Sequence, residues 1–97
     1  ELGLVIVFLR PLGLRLDGAE AQAHCSMKNL GAILRQAGTD YTKIVKTTIF
    51  LTDMNDFAAV NKIYESYFGG DFPARSCVQV AKLPLGGLVE VECIAQL

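Results

Sequence analysis

Ile44-Val45-Lys46-Thr47-Thr48-Ile49-Phe50-Leu51-Thr52 is a run of β-branched and aromatic residues. Such side chains fit a pleated, half-buried surface, and the run predicts a strand. Successive side chains on a strand point to opposite faces. Val45, Thr47, Ile49 and Leu51 then share one face, and Lys46, Thr48 and Phe50 share the other. On either side the spacing turns helical. Upstream, Ala23, Met27, Leu30, Ile33, Leu34 and Ala37 predict a helix over 18–37. Asp17 and Glu20 offer a capping box at its start, and Gly38 offers a stop. Downstream, Asp53-Met54-Asn55-Asp56 supplies turn and N-cap chemistry. Phe57, Val60, Tyr64, Tyr67 and Phe68 then form a second apolar stripe, stopped by Gly69-Gly70.

Further out, Val5 to Leu9 reads as a buried strand that Pro11 ends or places at an edge. Ser76 to Ala81 and Leu88 to Ala95 read as two more strands, joined by Pro84-Leu85-Gly86-Gly87. The order strand, helix, strand, helix, strand, strand argues for an α/β layer with both helices on one sheet. The other face of that sheet must be solvated or covered by another subunit. Hydrophobic residues make up 52% of the chain and charged residues 20%, a balance that favours cover by a homo-oligomer.

At 97 residues, one domain over 1–97 is expected. The net charge of −1 and the lack of a basic run argue against nucleic acid as a partner. Three cysteines, Cys25, Cys77 and Cys93, with no C-x-x-C pair argue against a disulfide scaffold or a structural zinc site, and fit a reducing compartment. The apolar opening ELGLVIVFLRPLGL is too short to span a bilayer and is broken by Arg10 and Pro11, so no membrane partner is expected. No basic region precedes it, as a signal peptide would require. A start at Glu1 rather than Met fits a fragment or a processed form.

Few residues offer chemistry. The single histidine, His24, lies in a helix body with no motif around it and reads as a surface or half-buried side chain. In Phe72-Pro73-Ala74-Arg75-Ser76-Cys77, Pro73 fixes the chain before a strand with Arg75 at its mouth. A planar, permanently charged guanidinium suits a bidentate grip on a carboxylate; pairing with a neighbouring acid is the alternative. Cys77 shares the side of Arg75 and is either a reactive thiol or a buried inert one. In Val89-Glu90-Val91-Glu92, the two carboxylates share a face between Leu88 and Ile94. Carboxylates in an apolar strand need a partner or a task. One with a raised pKa could serve as general base or acid; structural ion pairs or an exposed face are the other options.

Taken together, several segments resemble the RidA/YjgF family. They are Lys28-Asn29-Leu30-Gly31-Ala32-Ile33-Leu34, Val45-Lys46-Thr47-Thr48-Ile49-Phe50-Leu51, Asp56-Phe57 with Val60-Asn61, Tyr64-Glu65, Phe72-Pro73-Ala74-Arg75-Ser76-Cys77-Val78, Val80-Ala81-Lys82-Leu83-Pro84 and Val89-Glu90-Val91-Glu92-Cys93-Ile94-Ala95. They lie within about 21–97. The resemblance implies a chorismate-mutase-like α/β fold and a homotrimer whose sheets face inward as a barrel, with ligand clefts between subunits. It implies cofactor-free, metal-free hydrolysis of 2-iminopropanoate and 2-iminobutanoate to 2-oxoacids and ammonia. By resemblance Arg75 holds the substrate carboxylate, the backbone of Cys77 contacts ligand or water, and Glu90 orients or activates the attacking water. The family's first strand carries Gly-Pro-Tyr-Ser, which has no counterpart here. Its second ends in Ser-Gly-Gln, where this chain has Leu9-Arg10-Pro11.

Two hypotheses follow. One is a trimeric imine deaminase, cytoplasmic or mitochondrial. The other is a non-catalytic trimer that binds small carboxylates or proteins. The ribonuclease activity ascribed to some relatives is a third, which the net charge of −1 and the absence of a basic aromatic surface disfavour.

Overall fold

The computed structural model describes residues 2–7 and 18–97. The elements are strand β1 (Leu2–Val7), helix α1 (Ala19–Gln36), strand β2 (Ile44–Leu51), helix α2 (Phe57–Glu65), strand β3 (Ala74–Gln79) and strand β4 (Val89–Gln96). The four strands form one mixed sheet in the order β1-β4-β2-β3. β4 is antiparallel to both β1 and β2, whereas β3 runs parallel to β2. A parallel pair needs a crossover, and α2 supplies it.

Alternation along the strands builds the core. Ile49 and Leu51 of β2 and Val89, Val91, Cys93 and Ala95 of β4 are buried with Ala23, Met27, Leu30 and Leu34 of α1 and Val60 and Tyr64 of α2. Each fully buried aliphatic side chain contributes roughly 1.5–3 kcal/mol. The intervening Thr48, Phe50, Glu90, Glu92 and Ile94 line the opposite, open face and are only partly buried. No helix among the described residues is long and apolar enough to cross a membrane.

Several boundaries differ from the sequence reading. β1 lies over Leu2–Val7 because Val91 to Gln96 offer it partners; Phe8, Leu9 and Pro11 lie outside the described residues. Gly18, not Asp17, caps α1, and no side chain completes a box there; Asp17 is also outside the described residues. Val45 does not join Thr47 and Ile49. A bulge between Ile44 and Lys46 leaves it 45% exposed and buries Ile44 instead. β3 begins at Ala74, opposite Lys46, so Arg75 stands inside the strand. α2 ends at Glu65, before Gly69, where Tyr67 and Phe68 donate three residues back in a tightened final turn. At the end of α1, by contrast, Gly38 does what its type predicts. Its φ is 88°, its N–H reaches Arg35, and the N–H of Thr39 reaches Leu34.

Candidate active site

Arg75 lies opposite Thr47 in the parallel register of β2 and β3. Its guanidinium carbon sits 5.3 Å from the ring centroid of Phe57 and 5.3 Å from that of Tyr64, both on α2. The side chain therefore lies on the helix side of the sheet. Tyr64 is 2% exposed, and its hydroxyl is 2.7 Å from the Thr47 hydroxyl. Burial pushes the Tyr64 phenol up, while the Thr47 hydrogen bond and the Arg75 charge oppose that rise. Among the described residues no carboxylate pairs with Arg75, which is exposed at the edge strand.

Asn61 stands four residues after Phe57 and three before Tyr64, on the same helical stripe. Its side-chain oxygen is buried without a hydrogen-bond partner. Sequence reading gave this residue no role. The signal was its place between two aromatic residues at positions i, i+4 and i+7.

Cys77, opposite Ile49, is half-buried. Burial raises its thiol above the usual value and the Arg75 charge lowers it again, with burial the larger effect. A raised thiol pKa disfavours a thiolate nucleophile at neutral pH. Cys93 in the core is more extreme, pushed up to about 11 by burial and by Glu92.

Glu90 pairs with Phe50, and Glu92 with Thr48. Both alternate with Val89, Val91 and Cys93, which point beneath the helices. Glu90 therefore belongs to the open face. Its carboxyl is raised above the ordinary range, by burial first and by Glu92 second. Arg75 and Cys77 share a corner of the molecule, but the thickness of the sheet separates Glu90 from them within one chain.

His24 is exposed on α1, with its Nδ1 3.0 Å from the Tyr67 hydroxyl. It ties α1 to the segment after α2 and stands apart from the Arg75 corner. Among the described residues no group of three His, Cys, Asp or Glu side chains converges as a metal site would need.

The profile of the family described as endoribonuclease L-PSP matches residues 12–97. The chain belongs to this family, the RidA/YjgF proteins. Over 78 residues it is 53% identical to a RidA/YjgF relative from Rattus norvegicus named 2-iminobutanoate/2-iminopropanoate deaminase, across 80% of this chain and 57% of that protein. The crystal structure of the YjgF gene product from E. coli superposes with a TM-score of 0.88 at 41% identity, covering 97% of this chain and 79% of that one. That of E. coli TdcF with bound serine gives a TM-score of 0.82 at 41% identity, covering 87% and 68%. The chain spans a little over half the length of the curated relatives it matches.

Proposed function

We propose that this RidA/YjgF chain hydrolyses small 2-imino acids, such as 2-iminopropanoate and 2-iminobutanoate, to 2-oxoacids and ammonia. The observation that carries this reading is Arg75. Its charge is held against two rings and is unpaired among the described residues, so its fork of N–H donors is available to a carboxylate. Similarity to the rat deaminase and to a serine-bound structure supports a small carboxylate ligand.

The chemistry asks little of the protein. Water adds across the electrophilic C=N bond, its oxygen to carbon and one proton to nitrogen, giving a carbinolamine. The hydroxyl proton then passes to nitrogen as the carbonyl forms, the C–N bond breaks and ammonia leaves. Glu90 orients the water, and the upward shift of its carboxyl makes it a better proton acceptor than an ordinary carboxylate. The backbone of Cys77 contributes a contact beside the carboxylate anchor. Holding water and imine together supplies much of a modest acceleration.

Because Arg75 and Glu90 occupy opposite sides of one sheet, the reading requires more than one copy. Open faces packed in a homotrimer would set Glu90 of one subunit near the β3 edge of the next. A second reading rests on the same separation: a trimer that does not bring Glu90 to Arg75 would bind small carboxylates or proteins and catalyse nothing.

The test couples a serine or threonine dehydratase, which releases the imines, to this protein and follows imine lifetime, with sedimentation equilibrium alongside. A trimer that shortens the lifetime is expected. An inactive trimer that binds 2-oxoacids favours the non-catalytic reading, and a monomer at micromolar concentration removes the shared site.

A further inference from the structure

We infer that Phe57 and Tyr64 are positioning residues that hold the Arg75 guanidinium in place without neutralising it. This rests on the reading of Arg75 as the carboxylate anchor. The two rings are seven residues apart on α2, which at 1.5 Å per residue puts their backbone positions about 10 Å apart along the axis. The guanidinium carbon is 5.3 Å from each ring centroid and so bridges two helical turns. Attraction to ring faces uses the aromatic quadrupole. A ring has no lone pair to bind the N–H fork, so the donors stay available. A carboxylate partner would instead have occupied that fork.

The arrangement closes on itself. Arg75 is paired through the backbone with Thr47, the Thr47 hydroxyl is bonded to that of Tyr64, and the Tyr64 ring meets the Arg75 guanidinium. Tyr64 is thereby fixed from below in the core. Phe57, half-buried at the first residue of α2, closes the other end. An arginine on an edge strand is otherwise free to sample many rotamers, and ordering it costs affinity on binding. The clamp meets that cost in the folded protein before ligand arrives.

Phe57 is the position to test, because it can change without opening the core. Phe57→Leu keeps an apolar side chain and removes the ring face; Phe57→Tyr keeps the face. Binding of 2-oxobutanoate by calorimetry is expected to weaken about two- to fivefold in Phe57→Leu, as loss of a partly exposed cation–π contact implies, and to recover in Phe57→Tyr. The Nε–H resonance of Arg75, assigned by its loss in Arg75→Lys, is expected to be displaced by ring currents in the parent and in Phe57→Tyr and to move back in Phe57→Leu. Equal weakening in both Phe57 variants, unchanged affinity in Phe57→Leu, or an undisplaced Arg75 resonance in the parent would each overturn the clamp. Arg75→Lys that binds as well as the parent would instead remove the carboxylate anchor and, with it, the purpose assigned to the clamp. The resonance would still report whether the rings hold the guanidinium.

Discussion

β4 presents two unlike surfaces from one strand. Toward the helices it sends Val89, Val91, Cys93 and Ala95, all sealed from solvent; away from them it sends Glu90, Glu92 and Ile94, half-covered. On the helix side these four residues are buried within the chain's own core. On the open side the carboxyl of Glu90 is raised by burial and by Glu92, among neighbours that the described residues only partly cover. The same division separates the proposed anchor from the proposed water-orienting group, since Arg75 belongs with the helices and Glu90 with the open face. One face is finished by folding, whereas the other is the face that the proposed trimer would cover.

The largest expected effect contrasts the two faces directly. Val91→Asp places an unpaired charge in the sealed core, at a cost of several kcal/mol. That is comparable with the whole stability of a small domain, so loss of the cooperative melt by circular dichroism is expected. Ile94→Asp, three residues on and facing outward, is expected to keep the fold and to weaken assembly in sedimentation. If both variants unfold alike, the open face is as integral to the fold as the core.

Glu90→Gln comes next. It keeps shape and removes the base, and turnover is expected to fall ~10²–10⁴-fold while 2-oxoacid binding persists. Glu92→Gln is the control on the same face, and equal losses in the two would assign the pair a structural role. On the other face, Arg75→Lys retains charge but loses the planar fork. A loss of about tenfold in 2-oxoacid affinity by calorimetry is expected, equivalent to one charge-assisted hydrogen bond of about 1.5 kcal/mol.

The smallest effect is on pH dependence. Glu90 is raised above its ordinary value of 4.5 in the folded chain, so folding favours its protonated form. The penalty is present at neutral pH, shrinks as pH falls through the raised folded value, and is gone below about 4.5. Glu90→Gln is therefore expected to melt slightly above the parent at pH 7 and level with it in acid. Solvent screening keeps the gap small in one chain. A gap that widens with protein concentration would show that copies cover this face.

How much of this was legible depends on the range over which each decision is made. The alternation Val89-Glu90-Val91-Glu92 can be read from the strand alone, and it did divide into a buried and an open face. The stripe through Met27, Leu30 and Leu34 and the stop at Gly38 were equally local. Val45 departs from the period-2 expectation because a bulge depends on how β4 meets β2, which no periodicity in residues 44–52 records. Arg75 and Cys77 stand out by chemistry and resemblance, whereas Phe57 and Tyr64 beside them are legible as part of a helical stripe and Asn61 only within a segment of the resemblance, none with a role.

By itself the sequence determined which elements form and which side chains each presents to either face, because periods of 2 and 3.6 follow from backbone geometry within a few residues. It also carried enough ordered motif to mark the family. Only the tertiary structure decided that Thr47 stands opposite Arg75 and beneath Tyr64, that two rings of α2 hold a cation of β3, and that Glu90 lies across the sheet from it. Those are contacts between residues far apart in the chain. They are set by strand register and helix docking, where a shift of one residue would send each side chain to the other face.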